Sequence, residues 1–309
     1  MSRELMRFPK KIIVTNPSPP DTPFVMKQKN LFFDPEPFRK TLDQLYETLN
    51  RRDLVKPDPL QFLYNYRELK DREIVGLIAA SLAYGRVSQI IRSIESVVTI
   101  MGDSPYDFIM STEEHQFQAF FQGFCHRFAK TSELCALLSG VKQVINQFGD
   151  LEKCVHEGLK PEHETLHSAM SYFTRHLLSG ERRPGHLLSL PWKKSACKRM
   201  NLFFRWMVRK DAVDPGGWER IPREKLLIPL DTHIHKISLS LGLTQRKGTD
   251  LSTALEITDH FRRINPQDPI RYDFVLSRFG IRKDMNRVDL IKKFEYKWDL
   301  EEGNKNFNI

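Results

Sequence analysis

The stretch DREIVGLIAASLAYGRVSQIIRSIESVVTIMG, residues 71–102, determines which fold class the sequence specifies. Its apolar residues recur three and four positions apart, the spacing of one helix face: Ile74, Leu77, Ile78 and Leu82, then Ile90, Ile91, Ile94, Val97, Val98 and Met101. Gly85 interrupts the pattern, and an isolated glycine there marks a break. The stretch therefore predicts two consecutive amphipathic helices joined at Gly85.

Helical patterns also dominate the rest of the chain from Pro37 onward. Three further segments predict helices: FRKTLDQLYETL (38–49), ELCALLSGVKQVINQFG (133–149) and ETLHSAMSYFTRHLL (164–178). A fourth segment, HQFQAFFQGFCHRF (115–128), places five phenylalanines on one broad stripe that we interpret as core: Phe117, Phe120, Phe121, Phe124 and Phe128. Because no convincing alternating strand pattern accompanies them, we predict an all-α, multi-helix fold.

The predicted organisation has three parts. Residues 1–30 contain five prolines and little periodicity, which predicts an extended or disordered arm. The segments 31–70 and 231–300 are expected to form one lobe of terminal helices. Residues 71–230 are expected to form a central helical lobe.

The charge balance points to an acidic partner. The 309 residues include 48 Lys and Arg against 39 Asp and Glu, a net charge of +9, and nucleic acid is the commonest partner of such a surplus. The four cysteines form no C-x-x-C pair, so reduced thiols are expected. No signal peptide is visible, and no stretch reaches the roughly 20 apolar residues of a membrane span. We expect a cytoplasmic protein with no membrane partner.

A basic helix is predicted in LSLPWKKSACKRMNLFFRWMVRK, residues 188–210. It is expected to start near Ser195 and to bury Ala196, Met200, Phe203, Phe204 and Met207. At 100° per residue, the opposite face carries Lys194, Lys198, Arg205 and Arg209. Such a face is either solvated or a stripe of phosphate contacts.

Another helix is predicted to begin at Asp231 in LLIPLDTHIHKISLSLGL, residues 226–243. An aspartate directly before an apolar-periodic segment is a good N-cap, because its carboxylate accepts the open backbone N–H groups. The loop DAVDPGGWERIPREK (211–225) separates it from the basic helix. Asp231 and His235 share a helical face and could be two metal ligands, but the sequence indicates no further ligand, so solvent-exposed or hydrogen-bonding histidines are favoured.

These elements resemble the helix-hairpin-helix DNA glycosylase superfamily. IPLDTHIHKISLSLGL is similar to the Asp-Thr-His run that carries the catalytic aspartate there. KRMNLFFRWMV resembles the helix bearing the nucleophilic lysine in the archaeal 8-oxoguanine glycosylase branch, and REIVGLIAASLAYGRVSQIIRSI resembles the helix pair that lines the base pocket. The whole chain also resembles an uncharacterised bacterial family with the same Pro-Leu-Asp-Thr-His element.

The resemblance implies a two-lobed glycosylase fold in which Lys198 and Asp231 are catalytic. It implies nucleic-acid contacts by Lys193, Lys194, Arg199, Arg205, Arg209, His233 and Lys236, and a base pocket walled by Ser81, Tyr84, Gly85, Asp273 and Phe274. The sequence departs from the family at the glycine-rich hairpin, which reads Leu-Pro-Trp-Lys-Lys from Leu190 to Lys194, so an atypical hairpin is expected. No four-cysteine loop is present, and no cofactor is expected.

The resulting hypothesis is a base-excision-repair DNA glycosylase, with or without abasic-site lyase activity, that removes a flipped base, an oxidised purine being favoured. Damaged duplex or single-stranded DNA is the expected partner, and the protein is expected to be a monomer. One alternative is a nucleic-acid-binding protein of the same fold without excision activity. Another is a metal-dependent hydrolase centred on Asp231 and His235.

Overall fold

The computed structural model describes residues 35–178, 180 and 183–295. The predicted arm, residues 1–30, lies outside the described residues. The described part of the chain is mostly helical, with one small two-stranded sheet, which confirms the all-α prediction. Its helices are α1 Pro35–Leu49, α2 Leu69–Ser81, α3 Val87–Met101, α4 Pro105–Ser111, α5 Phe117–Phe120, α6 Thr131–Phe148, α7 Leu151–Glu157, α8 His167–Leu177, α9 Lys198–Val208, α10 Thr232–Ser240, α11 Leu251–Ile264, α12 Asp273–Ile281 and α13 Arg287–Glu295.

The stretch that determines the fold class forms α2 and α3 as predicted, and Gly85 lies between them with φ +100°. Helix α2 is buried along most of its length and packs against α9. A Cβ at Gly76 would lie 3.3 Å from side-chain atoms of both Phe203 and Met207, so the missing side chain permits close approach. This contact fixes α9 against the centre of the fold.

The phenylalanine-rich segment differs from the prediction. Helical structure there is limited to the end of a 3₁₀ turn, Glu114–Gln116, and to α5, and a two-stranded antiparallel hairpin follows, β1 Cys125–His126 and β2 Ala129–Lys130. Phe117 and Phe121 are buried as predicted, whereas Phe120 and Phe128 are exposed. The helix cannot continue because Gly123 has φ +81°, a left-handed conformation that ends the helical path.

The terminal helices pack together within the described residues. Helix α1 contacts α11, α12 and α13, and α10 packs against α12. All the described residues belong to one compact unit. The division into a terminal-helix lobe and a central lobe stays a prediction.

Candidate functional site

Lys198 is the first residue of α9, three residues later than the predicted helix start. The helix cannot begin at Ser195 because Lys194 and Cys197 both have positive φ values, 58° and 46°. The apolar face of α9 holds the helix against α2, as the sequence predicts. The Lys198 side chain is left 33% exposed at the helix start.

Asp231 caps α10, as the sequence predicts. One carboxylate oxygen, Oδ1, accepts hydrogen bonds from the backbone N–H groups of His233 and Ile234, both at 2.9 Å. The other oxygen, Oδ2, lies 3.4 Å from Nζ of Lys198. The fold therefore brings together an amine and a carboxylate that are separated by 33 positions in the sequence.

This pair faces an open cavity of about 1140 Å³. The cavity wall comes mainly from five parts of the chain: residues 56–59, the α2–α3 connection, the start of α9, the start of α10, and α12 with the residues after it. Of the predicted base-pocket residues, Tyr84, Gly85 and Asp273 line it. Ser81 and Phe274 are buried and do not line it, because their side chains pack into the helical core.

Asp273 is a buried carboxylate in the cavity wall. Its Oδ2 accepts a hydrogen bond from Arg205, while its buried Oδ1 has no hydrogen-bond partner among the described residues. Burial, together with the negative charge of Asp231, raises the pKa of Asp273 to about 6, although the Arg205 guanidinium opposes the shift. The cavity thus contains a carboxyl group that can donate or accept a hydrogen bond close to neutral pH.

The prediction of an exposed basic face on α9 is wrong for Arg205 and Arg209. Both are only 3% exposed. Arg205 pairs with Asp214 and Asp273, and Arg209 pairs with Asp211, Asp214 and Asp268. A guanidinium buried in this way is satisfied by carboxylates and is not accessible to a DNA phosphate.

The other predicted nucleic-acid contacts fall into two groups. Lys193, Lys194 and Lys236 are exposed, so their ammonium groups are accessible. Arg199 and His233 instead line the cavity. Arg199 donates to the carbonyl oxygens of Ser81 at 2.6 Å and Leu187 at 3.3 Å, and its guanidinium lies over the Tyr84 ring at 4.8 Å.

The atypical hairpin is a short 3₁₀ turn, Pro191–Lys193, before the left-handed Lys194. The amide of Lys193 donates to the carbonyl of Leu190, and the amide of Lys194 donates to that of Pro191. The carbonyl of Lys194 in turn accepts from the amide of Leu251. These two amide groups are engaged within the protein, so the turn presents lysine side chains rather than free N–H groups.

Comparison with known proteins assigns the chain to a family. Residues 58–282 match the family described as "Protein of unknown function (DUF2400)". The chain belongs to this family. The match spans all the residues that line the cavity except Lys56 and Pro57 at one end and Lys283 and Asp284 at the other. No curated protein and no solved structure matches the chain.

Membership of the DUF2400 family confirms the predicted resemblance to an uncharacterised family. The resemblance to helix-hairpin-helix glycosylases stays a prediction. Among the described residues of this DUF2400 protein, no helix has the length and apolar character needed to span a bilayer.

The geometry around His235 favours the hydrogen-bonding interpretation of this histidine. His235 is buried, and its Nε2 donates to the carbonyl oxygen of Arg246 at 2.7 Å. Within the described ranges, no group of three or more His, Cys, Asp or Glu residues could hold a metal ion.

Sequence reasoning missed His126, which supports the cavity wall from the hairpin. Its Nε2 donates to the Tyr84 carbonyl at 3.0 Å, and the Tyr84 hydroxyl donates to the His126 carbonyl at 3.1 Å. The two rings pack edge to face, 4.6 Å apart. No sequence signal links residues 42 positions apart in this way, because the contact depends on where the hairpin folds back onto the α2–α3 connection.

Proposed function

We propose that this protein is a DNA base-excision glycosylase in which Lys198 and Asp231 act on C1′ of a flipped nucleotide. The observation that carries the proposal is the 3.4 Å separation of Lys198 Nζ and Asp231 Oδ2 at a cavity large enough for a nucleoside. The surplus of basic residues and the resemblance of both helices to the glycosylase superfamily agree with it. An oxidised purine is the favoured lesion.

Asp231 has the geometry of an electrostatic stabiliser. Cleavage of an N-glycosidic bond develops positive charge on the sugar, as in glycoside hydrolysis. One oxygen of Asp231 is fixed by two backbone N–H groups, which leaves Oδ2 directed to the cavity side. A carboxylate held rigidly beside C1′ stabilises that charge without reorganising.

Lys198 supplies the nucleophile if the enzyme is bifunctional. After its ammonium gives one proton to water, the neutral amine forms the Nζ–C1′ bond while the C1′–N bond to the base breaks and the base leaves with the electron pair. The proton lost by the amine passes to Asp231 or to water, and the base takes up a proton. Opening of the sugar ring then gives a Schiff base, from which β-elimination breaks the C3′–O bond.

Asp273 and Tyr84 are proposed to contact the flipped base. The unpartnered Oδ1 of Asp273 is the group that a base nitrogen or amino group would satisfy on binding. Tyr84 presents a ring whose position is fixed by His126 and Arg199. A base extruded from the stack requires such a pocket of hydrogen-bonding and stacking groups.

The test is borohydride trapping on oligonucleotides that carry 8-oxoguanine, uracil, an alkylated base or an abasic site. We expect a covalent adduct with the wild type that disappears in Lys198→Gln. The matched controls are Lys193→Gln and Lys194→Gln, which remove neighbouring exposed amines and should retain the adduct.

The outcomes separate the candidate functions. Trapping that survives in Lys198→Gln would assign the nucleophile to another amine. Base release without any adduct would make Lys198 a supporting residue of a monofunctional glycosylase. If neither release nor trapping occurs on any substrate, the proposal fails, and a nucleic-acid-binding protein without excision activity becomes the better account of the basic surface.

A further inference from the structure

Two exposed aromatic side chains, Phe128 and Trp192, lie on segments that adjoin the cavity wall. Phe128 follows Arg127, whose side chain packs at Gly85 of the wall, and Trp192 lies in sequence between the wall residues Ser189 and Ser195. Phe128 is 61% exposed and Trp192 is 42% exposed. An exposed aromatic ring offers a face on which a base can stack. We refer to Phe128 and Trp192 together as the aromatic pair.

Phe128 lies at the turn of the β1–β2 hairpin, between His126 and Ala129. The preceding Arg127 has φ +55°, a conformation that usually requires glycine, and such outliers occur at functional sites. Arg127 also packs on the cavity wall, since its Cδ lies 2.8 Å from the position a Cβ would take at Gly85. The Phe128 ring is 5.3 Å from the ring of His186, and the Arg127 guanidinium lies 5.4 Å from the Phe128 centroid.

Trp192 lies in the middle of the atypical hairpin, between two residues that line the cavity, Ser189 and Ser195. The guanidinium of Arg175 lies 4.8 Å from the Trp192 ring centroid. Lys193 and Lys194 follow immediately and are exposed. His186 and Trp192 are six residues apart, which limits their Cα separation to roughly 20 Å.

We propose that the aromatic pair forms two stacking platforms for single-stranded DNA, which passes between them and presents one nucleotide to the cavity. The inference rests on the proposed function and specifies its substrate as unpaired DNA. Aromatic rings beside cations are the arrangement that binds single strands, because every base has a face for stacking and every phosphate a negative charge.

Two features favour a single strand over a duplex. Stacking on an exposed ring needs an unstacked base, which a duplex provides only after unpairing. In addition, the amides of Lys193 and Lys194 donate to protein carbonyls, so this turn has no free pair of N–H groups with which to hold a duplex phosphate. The turn offers instead one aromatic ring and two flexible ammonium groups.

The experiment measures binding of a fluorescein-labelled 20-nucleotide single strand and of the corresponding duplex by anisotropy. We expect the wild type to bind the single strand at least about tenfold more tightly than the duplex. Phe128→Ala and Trp192→Ala should each weaken single-strand binding by about 5- to 160-fold, which corresponds to the roughly 1–3 kcal/mol lost with one stacked base. Phe128→Tyr and Trp192→Phe should bind within about threefold of the wild type, since both keep a stacking ring.

The matched control is Phe120→Ala. Phe120 is also half exposed, but its ring packs on Phe108 at 5.4 Å, so its removal should leave binding unchanged. Thermal unfolding of each variant identifies any loss of fold. Salt titration distinguishes stacking from charge. In a plot of the logarithm of the binding constant against the logarithm of the salt concentration, the alanine variants of the aromatic pair should keep the wild-type slope. Lys193→Gln should reduce the magnitude of that slope by about 0.7.

Duplex binding as tight as single-strand binding, or alanine variants that bind like Phe120→Ala, would overturn this inference. If the protein releases bases from duplex lesions and the alanine variants of the aromatic pair do so at the wild-type rate, this inference is overturned and the proposed function is left intact. Single-strand binding that depends on the aromatic pair without base release would support the stacking platforms and count against the glycosylase.

Discussion

The two carboxylate oxygens of Asp231 have different partners, so two substitutions can separate helix capping from chemistry. Asp231→Asn keeps an oxygen that can accept the hydrogen bonds from His233 and Ile234. Asparagine is as good an N-cap as aspartate, and the lost ion pair with Lys198 is partly exposed. We therefore expect the free energy of unfolding to fall by less than about 1 kcal/mol.

Asp231→Ala removes the cap as well. The two N–H groups lose their acceptor, which costs about 0.5–2 kcal/mol in addition. With a urea dependence of roughly 2–3 kcal/mol per molar, the unfolding midpoint of Asp231→Ala should lie about 0.2–1 M below that of Asp231→Asn. Equilibrium urea unfolding followed by circular dichroism measures the difference.

Base release should respond differently from stability. Because both substitutions remove the negative charge beside C1′, each should slow base release by about 100- to 10,000-fold under single-turnover conditions. An Asp231→Asn variant that releases base at the wild-type rate while Asp231→Ala does not would refute the reasoning. Asp231 would then be a helix cap and nothing more.

Two further predictions concern the cavity wall. Gly280→Ala would place a Cβ 2.6 Å from His233, so we expect about 1–3 kcal/mol lower stability and slower base release, whereas Gly248→Ala, whose nearest contact is 3.6 Å, should be neutral in both assays. The pKa of Asp273 is about 6 in the folded protein against 3.8 ordinarily, so the native state binds more protons and the stability contribution of Asp273 falls as pH rises from about 4 to about 6. Urea unfolding midpoints measured across this pH range should decline less steeply with pH in Asp273→Asn than in the wild type. The same decline in both proteins would contradict the raised pKa of Asp273.

The parts of the fold that the sequence predicts correctly depend on local signals. The break at Gly85 and the cap at Asp231 each follow from residues within one or two helical turns. The hairpin at Cys125–Lys130 was missed because the spacing of its phenylalanines also fits a helix. Only the left-handed conformations of Gly123 and Arg127 exclude the helix, and arginine gives no sequence signal for such a conformation.

The charged residues of α9 show more clearly that local sequence signals do not reveal contacts with distant segments. Helical projection correctly places Arg205 and Arg209 on one face of α9, but it cannot show what covers that face. The acidic partners come from the following loop and from near α12, as far as 68 positions along the chain from Arg205. A basic face therefore predicts phosphate contacts only when no acidic segment folds back onto it.

The path of the chain between the two catalytic candidates explains why these arginines are buried. After α9 ends, the amides of Gly216 and Trp218 donate to the carbonyls of Trp206 and Met207, so the loop is fixed to the end of the helix. The 13 residues from Trp218 to Asp231 could span about 45 Å if extended, far more than the roughly 15 Å length of α9. Chain length alone therefore leaves the position of Asp231 open.

The buried ion pairs restrain the position of Asp231, which chain length leaves open. Arg205 binds Asp214 of the loop and Asp273 of α12, and α12 packs against α10, which Asp231 caps. One guanidinium thus connects the helix that carries Lys198, the loop that leaves it and the helix that supports Asp231. Because a buried arginine holds its partners in fixed geometry and its loss leaves charges uncompensated, the position of Asp231 relative to Lys198 depends on ion pairs in which neither of these two residues takes part.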